Sequence, residues 1–149
     1  MAKYKQGIYK PKNPKKYSGD QFNIIYRSSW ELRVQKWLDN NENVLEWSSE
    51  EHAIPYVSPI DSRIHRYFVD FYAKIKKADG SIAIYLIEVK PYAQTIEPTV
   101  QKRVSKKYIN EVYTWGINSA KWKSAREYCR KNGWEFIILT EKDMFESNK

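Results

Sequence analysis

Residues 67–91 read YFVDFYAKIKKADGSIAIYLIEVKP, and the pairing of this stretch with itself decides how the rest of the chain is placed. Two runs rich in β-branched and aromatic residues flank Ala78-Asp79-Gly80, the composition of a hairpin with a short turn. If Asp79-Gly80 alone formed the loop, Asp70 would lie opposite Val89, and Asp70 and Glu88 would point to opposite faces of the sheet. A three-residue loop, with Gly80 supplying the left-handed residue of a bulge, sets Lys77 against Ser81 and Asp70 against Glu88. We adopt this second register as the expectation.

Directly opposed carboxylates on neighbouring strands repel, because their Cβ atoms lie only about 4.5–5.5 Å apart. A hard divalent cation such as Mg²⁺ or Mn²⁺ relieves that repulsion and needs only one or two protein carboxylates. Lys90 shares the face of Glu88 through the two-residue period of a strand, so its ammonium belongs beside such an ion. A cation and a lysine together stabilise charge on phosphoryl oxygens and assist proton removal. An ordinary solvated sheet face would also carry Asp, Glu and Lys. Residues 82–89, however, are apolar on both faces, the pattern of a strand buried on both sides, where an unpaired Glu is costly.

Asp70-Phe71 followed by Glu88-Val89-Lys90 resembles the core of the PD-(D/E)xK nuclease superfamily. More closely, the chain resembles the head-completion nucleases of contractile-tailed phages, which are related to the endonuclease subunit of heteromeric transposases. The matching segments are Tyr26-Arg27-Ser28-Ser29-Trp30-Glu31, His65-Arg66-Tyr67-Phe68-Val69-Asp70-Phe71, Ile87-Glu88-Val89-Lys90-Pro91 and Phe136-Ile137-Ile138-Leu139-Thr140-Glu141. The resemblance implies a restriction-endonuclease-like α/β fold with a central mixed sheet flanked by helices. It also implies a Mg²⁺- or Mn²⁺-dependent DNA endonuclease with Asp70, Glu88 and Glu31 as metal ligands, and with Lys90 at the scissile phosphate. Phage head, portal or neck proteins become expected partners, and host cytoplasm or the virion the expected location. Val69 stands where the family often has a proline, a position that binds no metal.

The chain has 149 residues, one domain's worth, and a formal charge of +8. Residues 1–17 hold Lys3, Lys5, Lys10, Lys12, Lys15 and Lys16 without an acid, so the remainder carries only +2. A basic, flexible arm (1–17) preceding a single domain (18–149) is therefore expected, with the arm gripping DNA by releasing counterions from its phosphates. Arg63 and Arg66, ahead of Asp70 on the same expected strand, join the candidate phosphate contacts. No stretch reaches the roughly 18 apolar residues of a membrane span, and no signal peptide is recognisable. A single cysteine, Cys129, makes no internal disulfide and suits a reducing compartment.

Ser28-Ser29-Trp30-Glu31 opens a helix reaching about Asn40, with Trp30, Val34, Trp37 and Leu38 on its apolar face. Spacing alone makes Glu31 the far half of a capping box with Ser28. Short strands are expected at Val44 to Trp47 and Ile54 to Val57. A helix from about Glu97 to Thr114 should bury Val100, Val104, Tyr108 and Val112 and turn Lys102, Arg103, Lys106 and Lys107 toward phosphates. A further helix, capped near Asn118, should end at Gly133 and bury Trp122, Ala125 and Cys129. Trp134 to Thr140 should form a strand beside residues 82–89. Two functions compete with a head-completion endonuclease: a non-catalytic DNA-binding or head-docking protein on a nuclease fold, and a transposase-type subunit that cuts DNA ends.

Overall fold

The computed structural model describes residues 6–146. Its centre is a four-stranded mixed sheet in the order β3-β6-β7-β8. Strands β3 (Val44–Ser49), β6 (Phe71–Lys76) and β7 (Ile82–Val89) run antiparallel, and β8 (Glu135–Leu139) lies parallel to β7. Two short ribbons accompany it, β1 (Gly7–Ile8) with β2 (Ile25–Tyr26), and β4 (Ala53–Val57) with β5 (Ile64–Phe68).

The β6–β7 register is that of the three-residue loop. Phe71 pairs with Ile87 and Lys76 with Ile82, so the next step outward sets Asp70 opposite Glu88. At the turn Lys77 N–H donates to the Ser81 carbonyl at 2.8 Å, and Gly80 sits at φ +88°, a conformation that only glycine adopts without strain. Burial along β7 deepens toward its carboxyl end, from exposed Ile82 to buried Leu86, Ile87 and Glu88.

Each sheet face is covered by one helix. Helix α1 (Ser29–Asn40) is capped by Ser28, whose Oγ accepts the Glu31 N–H, and packs Trp30, Val34 and Leu38 over Trp47, Phe71, Ala73 and Ile87. Trp37, expected on that face, is half exposed. On the opposite face α2 (Lys106–Asn132) packs Trp122, Ala125 and Cys129 over Leu86 and the β4–β5 ribbon. Gly133, at φ +74°, closes α2, and Trp134 N–H reaches back to the Cys129 carbonyl at 2.7 Å. No helix among the described residues is long and apolar enough to cross a membrane.

Three sequence expectations are corrected. The strand leading to Asp70 is two strands: β5 pairs with β4, the chain breaks at Val69-Asp70, and β6 pairs with β3 and β7. The two helices expected over 97–133 are one helix starting at Lys106, with Ser105 as its cap, so Lys102 and Arg103 lie in the preceding loop. Val100, Val104 and Val112 are exposed instead of buried: the first two precede the helix, and Val112 lies in its opening turns, where Tyr108 alone of residues 106–114 is partly buried.

The third correction concerns the N-terminal arm. From Gly7 onward it is built into the domain, with Tyr9 and Tyr17 buried against Trp47. Asp39, fully buried on α1, accepts the Tyr9 hydroxyl at 2.6 Å and the backbone N–H groups of Lys12 and Asn13 at 2.7 and 3.1 Å. The tyrosines win out over chain entropy because each buries a large ring and finds a partner for its hydroxyl.

Candidate active site

The carboxyl end of β7 and the break before β6 bring Asp70, Glu88 and Lys90 together. Asp70 Oδ2 accepts the Val89 N–H at 2.8 Å, which ties the aspartate to the strand that carries Glu88. Glu88 is buried, and each of its oxygens is engaged: Oε1 accepts the Tyr67 hydroxyl at 2.5 Å, and Oε2 lies 3.3 Å from Lys90 Nζ. Burial and the neighbouring Glu88 push the Tyr67 hydroxyl far above its usual range, so it remains a donor.

Asp70 is only partly shielded by surface area, yet the protein atoms packed around it strip water from its carboxyl and drive its pKa well upward. Glu88 and then Glu31 push in the same direction, against the Val89 N–H and Lys90. Glu31 behaves alike, raised first by burial and then by Glu50 and Glu88, with the Arg27 N–H opposing. Three carboxylates thus repel one another across the tip of the sheet.

Glu31 does not close the capping box expected of it. Its Oε1 accepts the N–H of Arg27 at 3.2 Å, one residue before the cap. The first turn of α1 is capped by Ser28 alone, and the Glu31 carboxylate stands close enough to Glu88 and Asp70 to feel their charge. Among the described residues no group of three or more His, Cys, Asp or Glu side chains is arranged to hold a metal ion. The structure therefore brings Asp70 and Glu88 together as a pair and leaves Glu31 beside them, tied to Arg27. Two hard carboxylates on rigid strands, mutually repelling, fit a Mg²⁺-type ion that retains most of its waters.

The remaining candidates scatter around this centre. Arg63 and Arg66 are exposed on the β4–β5 ribbon, Arg66 lying 4.9 Å over the Phe68 ring. Lys102, Arg103, Lys106 and Lys107 are exposed on the connection and first turn of α2. Lys10, Lys12 and Lys15 are exposed, whereas Lys16 donates to the carbonyl of Asn41 at 2.8 Å. Lys12 and Lys16 touch the C-terminal end of α1, through Asp39 and the Asn41 carbonyl, about 12–15 Å along the helix from Glu31. Lys3 and Lys5 lie outside the described residues.

Sequence reasoning missed Tyr67, Arg27 and Glu50 as neighbours of the site. Glu50 holds φ +54°, donates its N–H to the Asp70 carbonyl at 3.0 Å and pairs with Arg27 Nε at 3.2 Å. No sequence signal marks a left-handed glutamate. Tyr67 was legible only through its position three residues before Asp70.

Residues 41–141 match the family described as TnsA-like endonuclease N terminal, a span that contains Asp70, Glu88 and Lys90. The chain belongs to the TnsA-like endonuclease family. This TnsA-like chain is also 40% identical, over 91% of its length and 90% of the relative's, to the protein named "Head completion nuclease" of Enterobacteria phage T4. No solved structure matches it. Its mixed sheet with one helix on each face is the TnsA-like, restriction-endonuclease-like architecture.

Proposed function

We propose that the protein is a Mg²⁺- or Mn²⁺-dependent DNA endonuclease acting in phage head completion. The observation that carries this reading is the convergence of Asp70, Glu88 and Lys90 at one strand end, where like charges are held together instead of apart. A structural protein gains nothing from that arrangement, which disfavours a purely head-docking role. The head-completion context rests on the T4 relative, whose similarity runs over nearly the whole of both chains.

Asp70 and Glu88 would hold the cation, with Glu31 adding negative charge from the end of α1. When bound there, the ion supplies Lewis-acid stabilisation of a phosphoryl oxygen. Lys90, whose ammonium already stands at the Glu88 carboxylate, would swing onto the scissile phosphate and neutralise charge developing on it. Glu31, held by the Arg27 N–H and close enough to Glu88 to feel its charge, would join the ion directly or through one of its waters. The exposed Arg63, Arg66, Lys102, Arg103, Lys106 and Lys107 hold the DNA backbone, and head, portal or neck proteins of the virion complete the partner set.

The test is incubation of the purified protein with plasmid and with branched DNA, with and without Mg²⁺ or Mn²⁺. Cleavage is expected only with the ion, and is lost in Asp70→Ala and in Glu88→Ala while DNA binding is retained. Nicking at the wild-type rate by both variants would overturn the assignment.

A further inference from the structure

Glu88 ends β7 with a long, rotatable side chain, and a metal ligand of that kind performs only if its carboxylate is fixed. The fixing group is Tyr67. Its ring is buried at 4% exposure, its strand is registered against β4 through the Ile54–Tyr67 pair, and the Lys121 ammonium lies 5.5 Å over its face. A tyrosine has only two side-chain torsions, so a ring confined this way presents its hydroxyl at one point. That point is Glu88 Oε1, at 2.5 Å. The other oxygen, Oε2, faces Lys90, whose side chain retains 23% exposure and can move aside.

The two oxygens of Glu88 therefore differ: one is locked by a neutral, rigid donor and one is covered by an exchangeable cation. We infer that Tyr67 is a positioning residue of the nuclease site, holding Oε1 of Glu88 so that the carboxylate keeps one orientation, with Oε2 on the side from which Lys90 can withdraw. This inference rests on the endonuclease reading above. It also assigns a purpose to the β4–β5 ribbon, which leads into Asp70 at its base and brings the Tyr67 hydroxyl to Glu88. Partners that orient metal ligands in this way are worth about 10–100-fold in metal affinity or activity when removed.

The experiment compares wild type, Tyr67→Phe and Tyr67→His. Mn²⁺ alone is titrated calorimetrically into each protein without DNA, and plasmid cleavage is then followed for kcat and KM. Tyr67→Phe should bind Mn²⁺ about tenfold more weakly and lose kcat by about 10–100-fold, with KM for DNA within about twofold of wild type. Tyr67→His, whose ring N–H ends well short of the place of the tyrosine hydroxyl, should show the same losses, and it serves as the readout if Tyr67→Phe fails to fold. A Tyr67→Phe protein with lower thermal stability but wild-type Mn²⁺ affinity and kcat would reduce Tyr67 to a scaffold residue and overturn the inference alone. Absence of Mn²⁺ binding and cleavage in wild type would instead overturn the endonuclease reading, and the inference with it.

Discussion

Two sites at opposite ends of α1 bury carboxylates, and they do so in opposite ways. Asp39 is surrounded by donors: a tyrosine hydroxyl and two backbone N–H groups satisfy its oxygens, and its carbonyl accepts the Asn13 side chain at 2.9 Å. Asp70 faces two rivals, Glu88 and Glu31, against a single backbone N–H and the more weakly felt Lys90. The first arrangement spends its hydrogen bonds on stability. The second leaves mutually repelling carboxylates short of donors, and that contrast is what the proposed metal-dependent reading turns on.

The widest separation between the two sites should come from neutralising each in turn. Asp70→Asn keeps the acceptor for the Val89 N–H but removes a charge, so cleavage should fall by about 10³-fold or more, equivalent to roughly 4 kcal/mol of barrier. Its metal-free stability in urea should rise, because a repelling carboxylate has gone. Asp39→Ala should show the reverse. Three donors lose their partner, costing about 3 kcal/mol in the same urea titration, while cleavage per folded molecule is unchanged. Equal stability losses in both variants would erase the distinction.

A pH series sharpens it further. Asp70 and Glu31 bind protons more tightly folded than unfolded, so their contribution to stability is fully present below the ordinary carboxylate values of 3.8 and 4.5. It is lost as pH rises through their raised folded values. In metal-free protein, wild type should therefore lose stability relative to Asp70→Asn and to Glu31→Gln across that window. The amide introduced by Glu31→Gln can still accept the Arg27 N–H, yet cleavage by this variant should collapse. Wild-type cleavage rates in it would return Glu31 to the role of a helix-end residue.

The smallest effect belongs to the lysines at the Asp39 end. Because residues 7–17 are part of the core, deleting them would test folding and not DNA grip. Replacing Lys10, Lys12 and Lys15 by Gln avoids that problem. If all three contact phosphates, the slope of log affinity against log salt should flatten by about 2.7, and DNA must then extend along the length of α1. An unchanged slope would leave this end to a protein partner.

The site was legible because strand periodicity and turn chemistry are local: Ala78-Asp79-Gly80 fixed a register, and the register placed Asp70 beside Glu88. What escaped was set by tertiary context. Val100, Val104, Tyr108 and Val112 repeat every four residues, but the Ser105 cap leaves the first two outside the helix, so half of the expected apolar row has no helix to lie on. One helix runs through Gly116 beside Pro59 where two were expected, and the packing of Trp122, Ala125 and Cys129 outweighs the cost of a glycine in a helix. Composition alone made the first 17 residues an arm, since six lysines are conspicuous, whereas the burial of Tyr9 depends on a carboxylate 30 positions away.

The hydrogen bond from Glu50 to Asp70 has a consequence for how this family can vary. It closes the β4–β5 ribbon at its base, next to the Ser49–Phe71 pair, so residues 51–69 form an excursion whose two ends are pinned together. The exposed tip of that excursion, 60–63, lies beyond buried Ser58 and beyond Pro59 at Gly116, so changes there leave Asp70 and Glu88 in register. Selection for new DNA shapes or new docking surfaces can act at the tip while the cutting centre stays constant, and Tyr67 marks how far toward the base such freedom extends.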